Sequence, residues 1–315
     1  MTGGTTLGSP SNPKGPRWGN AQGIMRGVKR KIFTCLYWLI AVPAIIGILI
    51  WCLYPYFVGN RTINPIWLHL GPVNIYWYGV WVATGVILGF IFIYRKAQCS
   101  EFEKYILDLM IWGIAGGIIG ARLLFVILKW SDFHSYLEMI NLSGGGLSIH
   151  GAILGGMAGL MLTAKKYKLP IFKTFDLFVP GVLIGQLIGR LGNFFNQEAF
   201  GPPTNLPWKM FIAPALRPAN FSDANFFHPT FLYEMLGLAL ILALIIYLGR
   251  KAHWPGSLFL IYISAYAVLR FFIEFFRIDS DYLGKLSLAQ WGSGLIVITA
   301  AIISLILRYR FKAKI

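Results

Sequence analysis

The sequence predicts an all-α polytopic membrane protein. Seven spans form the core, one additional span precedes them, and a small extramembrane head sits on the outer face. Three observations carry this. The 315 residues are 57% hydrophobic and 13% charged, with a mean hydropathy of +0.63, whereas a soluble domain carries about a quarter charged residues. Several runs near the length of a membrane-crossing helix, about 20 residues, are almost free of charge. The 28 basic residues are also unevenly placed along the chain, as the positive-inside rule requires.

Taken in order, residues 1–31 are polar, rich in Gly, Pro and Ser, and end in the basic stretch "MRGVKRK". This composition predicts a disordered tail, and Met25 is an alternative start to Met1. The segment 32–58, "IFTCLYWLIAVPAIIGILIWCLYPYFV", reads as an uncleaved first span, too long for a signal peptide and lacking an A-x-A site. Seven further spans are expected at roughly 72–94, 105–128, 150–164, 174–196, 229–249, 256–276 and 289–307. The Pro-rich, span-free stretch 199–228 is the expected head. Cys35, Cys52 and Cys99 have neither metal-ligand nor CxxC spacing, so no metal, disulfide framework or redox site is expected.

Alternating the spans sorts the charges. Nineteen basic residues fall on the side of the two termini, six on the other side, and Arg122, Arg190 and Arg270 lie within or at the ends of spans. The split places both termini in the cytoplasm and the loops 129–149 and 199–228 outside. The net charge of +16 then reads as topology and attraction to anionic lipid, not as a nucleic-acid footprint.

Arginines at bilayer depth cost roughly 2.5–3.5 kcal/mol on insertion scales and usually face a bundle interior or a wet cavity. Arg190 lies in "GRLGNFFNQEAFG", residues 189–201, where Arg190, Asn193 and Gln197 share a helix face and Glu198 lies one step round. Gly185, Gly189 and Gly192 on the same helix allow close approach of a backbone or a ligand. In "AYAVLRFFIEFFR", Tyr266, Arg270, Glu274 and Arg277 form a polar stripe on an apolar helix. The stripe reads as a site or as a register-fixing ion pair. Arg122, near a span end, reads equally as a site residue or as a snorkelling side chain. In "GGGLSIHGAILGG", His150 falls in the first turn of a helix behind three glycines, a place that suits an anion or a general base. Tyr78 reads as interfacial belt or as part of the site. Asp176, near a span start, reads as structural.

Several arginines with Asn, Gln, His and Tyr at one membrane face point to an anionic lipid head group, because guanidinium forks match phosphate oxygens. There is no HExxH and no GxSxG, and no carboxylate pair suited to aspartyl proteolysis.

"GRLGNFFNQEAFG" resembles the signature of the prolipoprotein diacylglyceryl transferases. "YWYG", "GARLLF", "GGGLSIHG", "FDLFVP", "HPTFLYE" and "LRFFIEFFR" follow the family's order over residues 62–310. The resemblance does not extend to the span at 32–58. Two positions depart from it: Ala152 stands where the family often has a second Gly after the His, and Phe125 where it often has Tyr. The resemblance implies an enzyme of the bacterial inner membrane with its site towards the periplasmic face. The reaction implied is transfer of the sn-1,2-diacylglyceryl group from phosphatidylglycerol to the lipobox cysteine thiol of a prolipoprotein. A thioether forms and glycerol-1-phosphate leaves, with no cofactor. By the same resemblance, Arg190 and Arg270 bind the phosphate. Asn193, Glu198, Gly201 and Arg122 complete the phosphatidylglycerol site, and Glu274 orients Arg270. His150, Tyr78 and Tyr266 are the choices for handling the thiol proton. A lipid or anion transporter would also use membrane-depth arginines, but the internal repeats typical of one are not visible. A lipid-binding subunit without catalysis is the third reading.

Overall fold

The computed structural model describes residues 47, 51–71, 73–141, 145–251, 254–278 and 280–312. Two units separate, Met1–Pro55 and Tyr56–Ile315, and all elements named below belong to the second. The expected tail at 1–31 lies outside the described residues. Of the expected first span, residues 47 and 51–58 are described, and 51–57 are helical.

The second unit opens with a hairpin, β1 (Ile66–Leu70) and β2 (Val73–Tyr76), paired antiparallel. The span expected at 72–94 takes in β2 but not β1. The hairpin's β-branched and aromatic residues favour a strand, and Gly71 supplies a turn with φ +59°. Helix α1 (Trp77–Ala97) follows directly. Then come α2 (Ile106–Leu128), the one-turn α3 (Tyr136–Ile140), α4 (Ile149–Lys166), α5 (Ile171–Asn196), α6 (Thr230–Leu248), α7 (Ser257–Ile273) and α8 (Leu288–Lys312). Among the described residues, six helices are long and apolar enough to cross a membrane: those at 77–97, 103–128, 171–196, 230–248, 257–276 and 288–309. Helix α4 covers the expected span at 150–164 but is not one of the six, because glycines, His150, Lys165 and Lys166 dilute its apolar character.

Two helix pairs are sealed by glycine. Helix α2 packs on α4, and α1 on α5. A Cβ on Gly116, Gly120, Gly151 or Gly155 would run into the backbone of the facing helix, and one on Gly85 would sit 2.9 Å from the Gly185 carbonyl. Lipid is as apolar as leucine, so close backbone packing is what draws such helices together. Large apolar side chains on the outer faces, such as Leu240, Ile119 and Leu295, stay exposed, as lipid-facing residues do.

Helices α5, α6 and α7 pack around Val179, Leu183, Leu238, Ile241 and Ile245. At one end, the Asp176 carboxylate of α5 accepts the backbone N–H groups of Gly256 at 2.6 Å and Phe259 at 2.8 Å. It thereby satisfies orphan donors at the start of α7, a structural role. At the opposite end, residues 197–229 fold back as the head. Its short strands β3 (Met210–Phe211) and β4 (Phe226–Phe227) pair antiparallel. Met210, Ile212 and Phe227 are fully buried and give the head its own core. A last hairpin, β5 (Tyr282–Leu283) with β6 (Leu286–Ser287), connects α7 to α8.

Candidate active site

The polar residues of α5, α6 and α7 meet at the head end of the bundle. Arg190 Nη2 pairs with Glu234 Oε1 of α6. The Tyr266 hydroxyl on α7 donates to the same oxygen at 3.2 Å. One turn on, Arg270 Nη2 lies 2.7 Å from Glu274 Oε2. Both carboxylates are buried, with side chains 2% and 4% exposed, whereas Arg190 and Arg270 keep 21% and 24% of their side-chain surface open. The carboxylates thus stand behind the guanidiniums, which face outward with donors to spare. Both arginines lie within electrostatic reach of Tyr266.

On the other flank of Arg190, its Nη1 is 3.5 Å from Asn193 Oδ1. Asn193 donates to Glu198 Oε1 at 2.8 Å, and Asn196 reaches the same oxygen at 3.4 Å. Glu198 therefore connects to Arg190 through Asn193, and the carboxylate that touches the guanidinium is that of Glu234. Sequence spacing did not single out Glu234. Its signals were its place at the end of the "HPTFLYE" motif and one turn into an apolar helix.

Glu198 borders a cleft of about 780 Å³ lined by Asn74, Tyr76, Tyr78, Phe195, Asn196 and Leu216 among others. Tyr78 lies within electrostatic reach of both Glu198 and Arg190. Its ring packs over Gly192, where a Cβ would approach to 2.7 Å. No atom lies within 4 Å of a Cβ built on Gly189, so the helix surface beside Arg190 is open.

A family model described as prolipoprotein diacylglyceryl transferase matches residues 65–307. The chain belongs to the prolipoprotein diacylglyceryl transferase family. Relatives named phosphatidylglycerol–prolipoprotein diacylglyceryl transferase cover most of it. One from Trichormus variabilis is 40% identical over 235 residues, 72% of this chain and 83% of its own. One from Synechococcus elongatus is 40% identical over 257 residues, 79% and 89% of the two chains. One from Finegoldia magna is 38% identical over 246 residues, 77% and 94%. Family membership makes the chain a transferase, and its apolar helices make it a membrane protein.

In this diacylglyceryl transferase family member, four residues singled out from sequence are not bonded to the two arginines among the described residues. Among the described residues, no hydrogen bond or ion pair joins His150 to the arginines. It is exposed, in the first turn of α4, where Ser148 Oγ accepts Gly151 N–H at 3.4 Å. Arg122 spends its fork on backbone: Nε on Met139 O at 2.8 Å, Nη1 on Gly145 O and Gly146 O at 2.8 Å each, and Nη2 on Glu138 O at 2.6 Å. The rings of Phe125 and Phe133 flank it at 5.7 and 5.4 Å. It is a clamp on the loop between α2 and α4, and Gly146, with φ +77°, is shaped to meet it.

Gly201 is a packing point. A Cβ there would collide with the Phe276 carbonyl and approach Thr230 Cγ2 to 2.9 Å and His228 Cβ to 3.0 Å. Gln197 also leaves the shared face of α5. With φ +49° it ends the helix, donates to Phe211 O at 3.3 Å and accepts Ala213 N–H at 3.0 Å. The head is further fastened where Trp208 Nε1 donates to the Tyr233 hydroxyl at 2.8 Å, with His228 Nδ1 3.0 Å from the same oxygen.

Proposed function

We propose that the chain transfers the diacylglyceryl group of phosphatidylglycerol to the lipobox cysteine thiol of a prolipoprotein. This is the first step of bacterial lipoprotein maturation. The names of its relatives support the two substrates. The single structural observation behind the reading is the pair of half-open guanidiniums, each backed by a buried carboxylate.

The chemistry sets two needs. The cysteine sulfur attacks the terminal glyceryl carbon, the C–O bond breaks, and its electron pair leaves with glycerol-1-phosphate. The sulfur must first lose its proton, because the thiolate is the nucleophile. The departing phosphate gains charge and needs donors already in place. Arg190 and Arg270 supply those donors. Glu234 and Glu274 hold them in direction, so little reorganisation accompanies the reaction. Glu198, with Asn193 and Asn196, accepts hydroxyls of the glycerol head group from the cleft side. Tyr78 lines the same cleft as Glu198 and packs over Gly192, two residues from Arg190, which supports it over His150 as the group beside the reacting sulfur. Arg122 contributes by shaping the loop over α2 and α4.

The charge split along the sequence supports cytoplasmic termini, with the head and the site on the outer side of the inner membrane. The glycine-sealed contact with α2 supports α4 as a further crossing. Both substrates, a lipid and a membrane-borne signal peptide, then reach the site sideways.

The test is reconstitution in phosphatidylglycerol vesicles with a lipobox peptide, read by mass spectrometry. The wild-type chain adds one diacylglyceryl unit to the peptide, and Arg190→Ala and Arg270→Ala do not. Full turnover in either folded variant refutes the phosphate role. Comparing Tyr78→Phe with His150→Gln across pH decides which one serves the sulfur.

A further inference from the structure

The loop between α7 and α8 sends one hydroxyl into the buried cluster. Ser280 Oγ donates to Glu274 Oε1 at 2.6 Å, while the other carboxylate oxygen faces Arg270 at 2.7 Å. Glu274 is 3% exposed; Oε1 has the Ser280 hydroxyl as its hydrogen-bond partner, and Oε2 meets Arg270 as an ion pair without a hydrogen bond. Ser280 is itself half-buried.

Ser280 is held from its far side as well. The Leu288 N–H donates to the neighbouring Asp281 O at 2.9 Å. Ser287 and Gln290 exchange bonds at the start of α8: Ser287 N–H to Gln290 Oε1 at 2.9 Å, and Gln290 N–H to Ser287 Oγ at 3.2 Å. Gln290 Nε2 reaches back to the Phe271 carbonyl of α7 at 3.4 Å. The loop, the start of α8 and the end of α7 are thus bonded together around the carboxylate that meets Arg270.

We propose that Ser280 is a positioning residue for the transfer reaction. Through Glu274 it fixes the direction in which Arg270 presents its guanidinium to the phosphate of the lipid donor. This rests on the reading of Arg270 as a phosphate-binding group. Without the hydroxyl, Glu274 Oε1 has no hydrogen-bond partner among the described residues. The carboxylate then turns to take more of the Arg270 fork, and the donors that face the ligand are lost to it. Ser280 lies in a loop beyond the end of the helix, so helical periodicity gives no sign of it.

The experiment uses the full chain in phosphatidylglycerol vesicles with a lipobox peptide, measuring kcat and the KM for phosphatidylglycerol. A hydrogen bond to a charged group is strong enough that Ser280→Ala is expected to lower kcat/KM for phosphatidylglycerol about tenfold. The loss includes kcat, because Arg270 also meets the departing phosphate, and the orphaned carboxylate oxygen lowers the thermal midpoint to a similar extent in Ser280→Ala and Ser280→Val. Ser280→Thr keeps the hydroxyl and is expected to behave as wild type. Ser280→Val has nearly the shape of Thr without the hydroxyl, and is expected to match Ser280→Ala. The Thr and Val pair isolates the hydroxyl even if the alanine variant folds poorly. Equal kcat/KM values for the folded Thr and Val variants overturn the proposal. Arg270→Ala separates the two layers. If it retains full transfer, the phosphate role itself falls. If it is inactive while the Ser280 variants match wild type, only the role of Ser280 falls.

Discussion

Glu234→Gln removes the charge behind Arg190 while keeping the size of the side chain. In the wild-type chain one carboxylate oxygen takes both Arg190 Nη2 and the Tyr266 hydroxyl, and the residue is 1% exposed. The amide oxygen can still accept both hydrogen bonds, but it offers no counter-charge to the guanidinium. A hydrogen bond to a charged group contributes roughly 1.5–3 kcal/mol. Loss of the whole buried pair would cost about 3–5 kcal/mol. The isosteric change falls near the lower range, at about 2 kcal/mol, or about 30-fold in kcat/KM for phosphatidylglycerol. The assay is peptide lipidation in vesicles against lipid concentration, with thermal unfolding in detergent as the control for folding. Glu234→Asp keeps the charge on a shorter arm and should fall between the two. Wild-type kcat/KM for folded Glu234→Gln, alongside an inactive Arg190→Ala, would refute the idea that Glu234 aims Arg190.

Gly201→Ala forces a Cβ against the Phe276 carbonyl; overpacking of this kind costs about 1–3 kcal/mol, seen as a lower melting temperature together with lost activity. Arg122→Lys keeps a charge but cannot bond four carbonyls at once, so limited proteolysis between residues 129 and 148 should quicken several-fold; a raised KM for phosphatidylglycerol with no change in proteolysis would instead make Arg122 a ligand residue. Burial pushes the His228 imidazole below its usual value, so the folded state favours the neutral ring. Its contribution to stability is then full above about pH 6.5, the ordinary histidine value, and is lost as pH falls through the lowered folded value. Melting curves of His228→Gln between pH 5 and 8 should be flatter than wild type.

Much of this architecture was legible in the chain. Apolar runs marked α1, α2 and α5 to α8, and an i, i+4 spacing made the contact between Arg270 and Glu274 readable as a local pair. What could not be read arises where distant segments meet. Glu234 lies 44 residues from Arg190 on another helix, and no periodicity joins them. The β1–β2 hairpin was hidden because its residues are as apolar as a span. Of the glycines ahead of His150, Gly146 makes room for Arg122 and Phe125, a contact that local spacing does not reveal. Gly201 stood inside a motif of polar residues, yet its own contribution is the absence of a side chain against the end of α7.

The two buried carboxylates also offset the charge of the two arginines. Arg190 and Arg270 are cancelled by Glu234 and Glu274, and Glu198 adds a further negative charge beside them. The pocket therefore offers aimed donors without a surplus of positive charge. A phosphodiester arrives as a monoanion, and a phosphomonoester leaves carrying about −1.5 to −2 at neutral pH. A strongly cationic pocket would hold the more charged product and stall between turnovers. On the proposed reading, donors without that surplus hold the more charged product less tightly, so the pairing that aims the arginines also favours its release.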